Sequence, residues 1–321
     1  MNNVDKEISE VALHVLKECM GVMPSENVCI VTDERMLELA YPFHVAARDL
    51  GCESVLVEMN VRKRNGEEPP QHVAKLMESS DVILAITTKS LSHTNARKVA
   101  CGKGARMASL PGVSVDCVKR TLIVDYAKIK ERSEILSDIL TKGKMARLYC
   151  PLGTDLYIDI SQREGAYDHG DYRIAKSFGN LPAGEAYIAP LEGSSKGKVV
   201  FNSSFAGVGI CKESIYIQIE DGNAVSIEGK SEAEKLKSIL EPLGEKAYNL
   251  AELGIGTNDK AMLTGLVLED EKVMGTVHLA FGDNSGFGGN TSVPVHLDGI
   301  IVKPTLIIDG EMIMESGELV I

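Results

Sequence analysis

The pattern of apolar residues changes once along this 321-residue chain, near Met145, and that change limits the fold more than any single motif does. Before it, apolar runs alternate with helical ones. Val4, Ile8, Val11, Ala12, Val15, Leu16 and Cys19 fall at helical spacing over 4–21, and VCIVTD follows as a buried strand. A helical run from Glu34 to Leu50 stops at Gly51 and leads into ESVLVEM. A helix over 70–78, the strand DVILAITT, a helix over 94–102, the strand RMASL and a charged helix from Tyr126 to Lys142 continue the scheme. Strands that alternate with helices imply parallel strands joined by right-handed crossovers. Residues 1–145 are therefore expected to form an α/β domain with a parallel sheet.

After Met145, TDLYIDI, EAYIAPLEG, GKVVFNSS and ESIYIQIEDGNAVSIEG are short alternating runs broken by Gly, Ser or Asp-Gly. A helical pattern recurs only in SEAEKLKSILEPLG, and Asp309-Gly310 and Ser316-Gly317 are hairpin signals. Residues 146–321 are expected to be a β-rich α+β domain that carries the metal chemistry.

With 34 basic and 46 acidic residues the formal charge is -12, which opposes contact with nucleic-acid phosphates or anionic lipid. Small molecules and metal ions are the partners this charge favours. The seven cysteines are scattered without a C-x-x-C pair and read as buried thiols of a cytoplasmic protein. Acidic residues within the apolar pattern of the N-terminus exclude a signal peptide or membrane span there.

The stretch 275–299, GTVHLAFGDNSGFGGNTSVPVHLDG, carries the clearest chemistry. His296 and Asp298 are two apart in an alternating run, so a strand projects both from one face. Imidazole nitrogen and carboxylate oxygen suit zinc, manganese, cobalt or ferrous iron, and His278 on a second strand is a source of a third ligand. The loop between the histidines holds Asp283, Ser292 and several glycines, and brings backbone close to a ligand. Glu185, after a Pro-Ala-Gly turn, and Glu252, in the glycine-rich AELGIGTN, add two carboxylates to a hard donor set for one or two divalent ions.

In the first domain, Thr94 reads as a helix cap, and Asn95 and Arg97 follow a strand end where open parallel sheets bind ligands. There is no G-x-G-x-x-G after the first strand, no Walker pattern, no H-E-x-x-H and no G-x-S-x-G.

SHTNARK at 92–98, GARMASLPG at 104–112, GNLPAGEAYIAP at 179–190, AELGIGTN at 251–258, GTVHLAFGDNSGFGG at 275–289 and PVHLDGII at 294–301 together resemble the aminopeptidase T family of metallopeptidases. That resemblance implies a homodimer with a two-metal site carried by Glu185, Glu252, His278, His296 and Asp298. It implies an aminopeptidase that releases N-terminal residues from short peptides, with Glu185 and Glu252 as catalytic groups and Asn95, Arg97, Asp283 and Ser292 contacting substrate. The family's glutamate before the first histidine has its nearest counterpart in Glu271, and the position of its tyrosine holds Ser285. The chain also resembles the dihydroxypyridine ring-opening dioxygenases of the same superfamily, in which His278, His296, Asp298 and Ser292 would surround one Fe(II). A third expectation is a non-catalytic, metal-containing small-molecule binding protein. The aminopeptidase is the leading expectation of the three.

Overall fold

The computed structural model describes residues 3–321. They form two compact units: one runs to Ala127 and adds His169–Ala183, the other comprises Lys128–Asp168 and Gly184–Ile321.

The first unit is built on a five-stranded sheet in the order Glu53–Met59, Asn27–Asp33, Val82–Ile86, Arg106–Ser109, Phe178–Asn180, with every neighbour parallel. Val82–Ile86 is buried along its whole length, which is why its sequence is a continuous apolar run rather than an alternating one. The helix Asn3–His14 precedes the first strand, and helices at Leu37–Asp49, Gln71–Glu78, Asn95–Gly102 and Val115–Thr121 lie between the strands in sequence. Val31, Ile83 and Met107 meet Val73, Met77, Ala96 and Ala100 in a helix-on-sheet core. Arg106 fixes the sheet's start: its guanidinium pairs with Glu26 at 2.7 Å, and its Nε donates to the Met20 carbonyl at 2.7 Å. At the other end Asp33 accepts from Thr88 N–H at 2.6 Å and Thr88 Oγ1–H at 2.8 Å, tying two strand ends together.

The second unit contains two antiparallel sheets. One has eight strands, ordered Asn223–Glu228, Ile215–Glu220, Lys196–Phe201, Asp155–Asp159, Met145–Tyr149, Thr305–Ile308, Glu311–Glu315, Glu318–Leu319. The other has seven, ordered Gly209–Ile210, Ser204–Phe205, His296–Val302, Thr276–Gly282, Leu250–Gly256, Glu185–Ile188, Ala166–Asp168. Leu156, Ile158, Val199 and Ile217 of the first sheet share one core with Ile188, Leu253, Val277 and Ile301 of the second. The architecture is thus an α/β unit with a parallel sheet and a β-rich unit with few helices.

Two segments depart from the reading by periodicity. The helix Tyr126–Lys142, placed by sequence at the end of the first domain, puts Leu136 and Leu140 into the core of the second unit beside Ala146, Ile158 and Ile160. An apolar stripe shows that a helix packs but not on which core. The strand Phe178–Asn180 joins the parallel sheet from more than sixty residues beyond its neighbour Arg106–Ser109, and three residues are too few to show a period. The seven cysteines are buried and form no disulfide among the described residues. No helix among the described residues is long and apolar enough to cross a membrane.

Candidate metal centre

Four neighbouring strands of the seven-stranded sheet carry the chemistry, and their register decides which residues meet. Gly256 opposes Glu185, Gly254 opposes both Tyr187 and His278, Glu252 opposes Ala280, Ala280 opposes Asp298, and Gly282 opposes His296. Opposed residues, and residues two apart, share a face. One face therefore presents Glu185, Tyr187, Glu252, His278, His296 and Asp298, with glycine or alanine between them. The other presents Ala186, Ile188, Leu253, Ile255, Val277, Leu279 and Phe281 to the core. A single alternation thus supplies both the packing that anchors the sheet and the polar row it displays.

The small residues of that row are necessary. A Cβ on Gly254 would lie 1.8 Å from His278 Nε2, so the imidazole rests directly on the glycine backbone. The carboxylate of Glu252 receives both histidines: His278 Nε2 is 3.1 Å from Oε1 and His296 Nε2 is 3.3 Å from Oε2. His278 Nε2 also lies 3.3 Å from Glu185 Oε2, and His296 Nε2 lies 3.4 Å from Asp298 Oδ1. Two overlapping groups have donor atoms close enough to share an ion, Glu185 with Glu252 and His278, and Glu252 with His296 and Asp298. The first is buried and the second partly open, with His296 24% and Asp298 16% exposed.

Second-sphere contacts differ between the histidines. His296 Nδ1 is 2.7 Å from the Asp283 carbonyl; donation there places the proton on Nδ1 and turns the Nε2 lone pair towards the carboxylates. His278 Nδ1 is buried and has no hydrogen-bond partner among the described residues.

The electrostatics favour cations. Burial opposes a charged His278, but the hydrogen bond to Glu252 and the fields of Glu185, Glu252 and Glu271 outweigh it and raise the group to about 9. His296 is likewise disfavoured as a cation by burial, yet Asp298 and Glu252 hold it well above the ordinary histidine range. Burial pushes Glu252 up, whereas its bonds to both imidazoles pull it down more strongly, leaving it below the ordinary carboxylate range. Burial raises Glu185, with Lys272 opposing that rise. A chain that gathers carboxylates and imidazoles so tightly fits a divalent ion.

Sequence reasoning missed several neighbours. Lys272 is 1% exposed and spans Glu185 Oε1 at 2.5 Å and Glu271 Oε1 at 2.7 Å. The Phe287 ring stands edge-on to both Tyr187, at 5.5 Å, and His296, at 5.8 Å, giving the polar row an aromatic wall. Glu192 braces the glycine-rich loop by accepting from Asn290 N–H at 2.7 Å and Asn284 Nδ2–H at 3.0 Å, and it pairs with Arg163. Nothing in local sequence marks Lys272, Phe287 or Glu192.

The remaining expected contact residues have these places. Asp283 spends its carboxylate inside the loop, accepting from Ser285 Oγ–H at 3.1 Å and Val293 N–H at 3.2 Å. Ser292 is exposed on the same loop. In the first unit, Asn95 and Arg97 open the helix Asn95–Gly102, with Thr94 as its cap. Glu68 accepts from the Asn95 N–H at 2.5 Å, while Arg97 donates to the Ser92 carbonyl at 2.8 Å and lies 4.4 Å above the Phe178 ring.

Comparison with known proteins adds the family. The family model described as NicX: 2,5-dihydroxypyridine 5,6-dioxygenase matches residues 7–321. A 2,5-dihydroxypyridine 5,6-dioxygenase of Pseudomonas putida is 22% identical over 259 residues, covering 77% of this chain and 73% of that protein. The solved 2,5-dihydroxypyridine dioxygenase of Pseudomonas putida KT2440 superposes with a TM-score of 0.83 at 18% identity, over 98% of this chain and 97% of that one. AmpT from Thermus thermophilus superposes with a TM-score of 0.73 at 17% identity, over 98% and 99%. At these identities the structural likenesses establish the fold alone. The resemblance to aminopeptidase T therefore holds at the level of fold, whereas the aminopeptidase activity drawn from it does not. The hydrolase and metalloprotease assignment is overturned by a family model and a curated relative that both belong to the dioxygenase. The strings that carried the resemblance lie on strands, loops and a helix start of the shared fold, and a fold does not determine the reaction it hosts. Matched from residue 7 to its last residue, the chain belongs to the 2,5-dihydroxypyridine 5,6-dioxygenase family.

Proposed function

We propose that the protein is a ring-opening dioxygenase for a dihydroxylated pyridine, working through one ferrous ion. The observation that carries this reading is the family match over residues 7–321. The donor set supports it: His296, Asp298 and Glu252 are close enough to share one ion, and His278 meets the same Glu252 carboxylate, so two imidazoles and carboxylates of the kind suited to non-haem ferrous oxygenases converge there. When bound, ferrous iron supplies the one-electron chemistry that lets dioxygen react with an electron-rich ring.

The chain's own groups do the rest. Glu252, kept ionised by the two imidazoles, fixes their directions. Tyr187 and Phe287 offer aromatic faces against which a flat ring packs. Glu185, raised by burial, is better matched than Glu252 to exchange a substrate hydroxyl proton at Oε2. Both oxygen atoms enter the product as the ring carbon–carbon bond breaks, so the ring itself supplies the electrons.

The test is anaerobic protein loaded with Fe(II), Mn(II) or Zn(II), mixed with 2,5-dihydroxypyridine and then exposed to oxygen. Aromatic absorbance should fall only in the iron-loaded sample; equal loss with zinc would reject the reading. Metal affinity should rise with pH towards about 9, because His278 is protonated below that value and must lose its proton to become a ligand. Titration calorimetry at several pH values reads this, and an affinity that falls as pH rises would contradict it.

A further inference from the structure

We propose that the Lys272 ammonium takes the place of a second cation beside the candidate metal centre and so limits the protein to one divalent ion. This rests on the metal-centre reading given above. The donor atoms alone form two overlapping groups, the buried Glu185 with Glu252 and His278 and the partly open Glu252 with His296 and Asp298, each with its donor atoms within 4.8 Å of one another. By composition each is a place for an ion. The difference is what already stands against the buried group. Lys272 reaches it with a side chain 1% exposed, and its Nζ lies 2.5 Å from Glu185 Oε1 and 2.7 Å from Glu271 Oε1. Glu185 thus has one oxygen on an ammonium and the other 3.3 Å from His278 Nε2.

A dication entering there would sit close to a buried positive charge with little solvent to screen it. It would also have to draw Glu185 from Lys272, leaving the ammonium with Glu271 alone, and a buried charge stripped of a partner is costly. The partly open group has no such rival: His296, Asp298 and Glu252 meet one another without a lysine among them. Lys272 is therefore a positioning residue. It acts through Glu185, keeping that carboxylate out of the ligand set, and touches neither substrate nor metal.

The experiment counts Mn(II) bound per full-length chain by mass spectrometry of the metal, with electron paramagnetic resonance on the same samples. Wild type should bind one ion and show the six-line signal of an isolated Mn(II). Lys272→Met, which fills the same space without charge, should bind two and show the broadened signal of a coupled pair. Lys272→Arg, which restores the charge, should return to one. If Lys272→Met does not fold, Lys272→Gln takes its place, and the wild-type count tests the proposal without any variant. Two ions in the wild type, or one in the folded uncharged variant, overturns it. Failure of the dioxygenase reading is distinguishable: one isolated ion in wild type and two in Lys272→Met, with no ring opening by any sample, would support this inference while rejecting that reading.

Discussion

Asp298→Ala should fold as the wild type does yet lose its metal, with affinity falling by more than about a hundredfold, since even partners behind the ligands cost about 10–100-fold when removed. The same is expected of His296→Ala. Asp298 shares a crowded set with Glu252 and His296, and its removal takes away one of the carboxylates whose mutual repulsion the imidazoles must offset. The sheet itself is held from the opposite face by Leu279, Phe281 and Ile301, which the substitution does not touch. Far-ultraviolet circular dichroism should therefore be unchanged while metal content and ring-opening rate fall together. Unchanged metal content in both variants would remove His296 and Asp298 from the ligand set.

A comparably large effect is expected from a residue that contributes no ligand. In Gly254→Ala the new methyl would lie 1.8 Å from His278 Nε2 and 2.2 Å from Cε1, and the ring is too deeply buried to retreat. Something must shift, and overpacking of this kind costs about 1–3 kcal/mol. Because the displaced group is an imidazole of the centre, metal binding should fail alongside stability. Gly286→Ala is the control: nothing lies within 4 Å of a Cβ placed there, so both properties should stay as in wild type. Urea denaturation and metal analysis on the three proteins check this. A Gly254→Ala protein with full metal content would show that His278 does not need its place on the glycine backbone.

How much of this was legible in the sequence follows from which signals are local. The parallel strands announce themselves because Val82–Ile86 and Asn27–Asp33 are buried on both faces and so read as apolar runs. The polar row was legible at His296 and Asp298, since a spacing of two suffices to place them together. Glu252 was found by its glycine-rich context, but its position between the histidines depends on a bulge between Leu250 and Glu252 that no pattern shows. Lys272 lies in the run Glu269, Asp270, Glu271, Lys272, which reads as a solvated surface, and all four are buried. Charge runs are exposed often enough that only tertiary pairing reveals the exception. The reaction was the least legible part. The strings that carried the aminopeptidase resemblance belong to strands and loops of a common fold, and the buried Lys272 ammonium beside the centre lies outside all of them.

The central claim, that the centre opens a dihydroxypyridine ring with both atoms of dioxygen, is tested most directly by isotope tracing. Iron-loaded protein is mixed with 2,5-dihydroxypyridine under oxygen-18 gas in ordinary water, and the ring-opened product is weighed by mass spectrometry. The account predicts that both oxygen atoms added to the substrate carry the label. A product that takes its added oxygen from water, or only one atom from the gas, would contradict it.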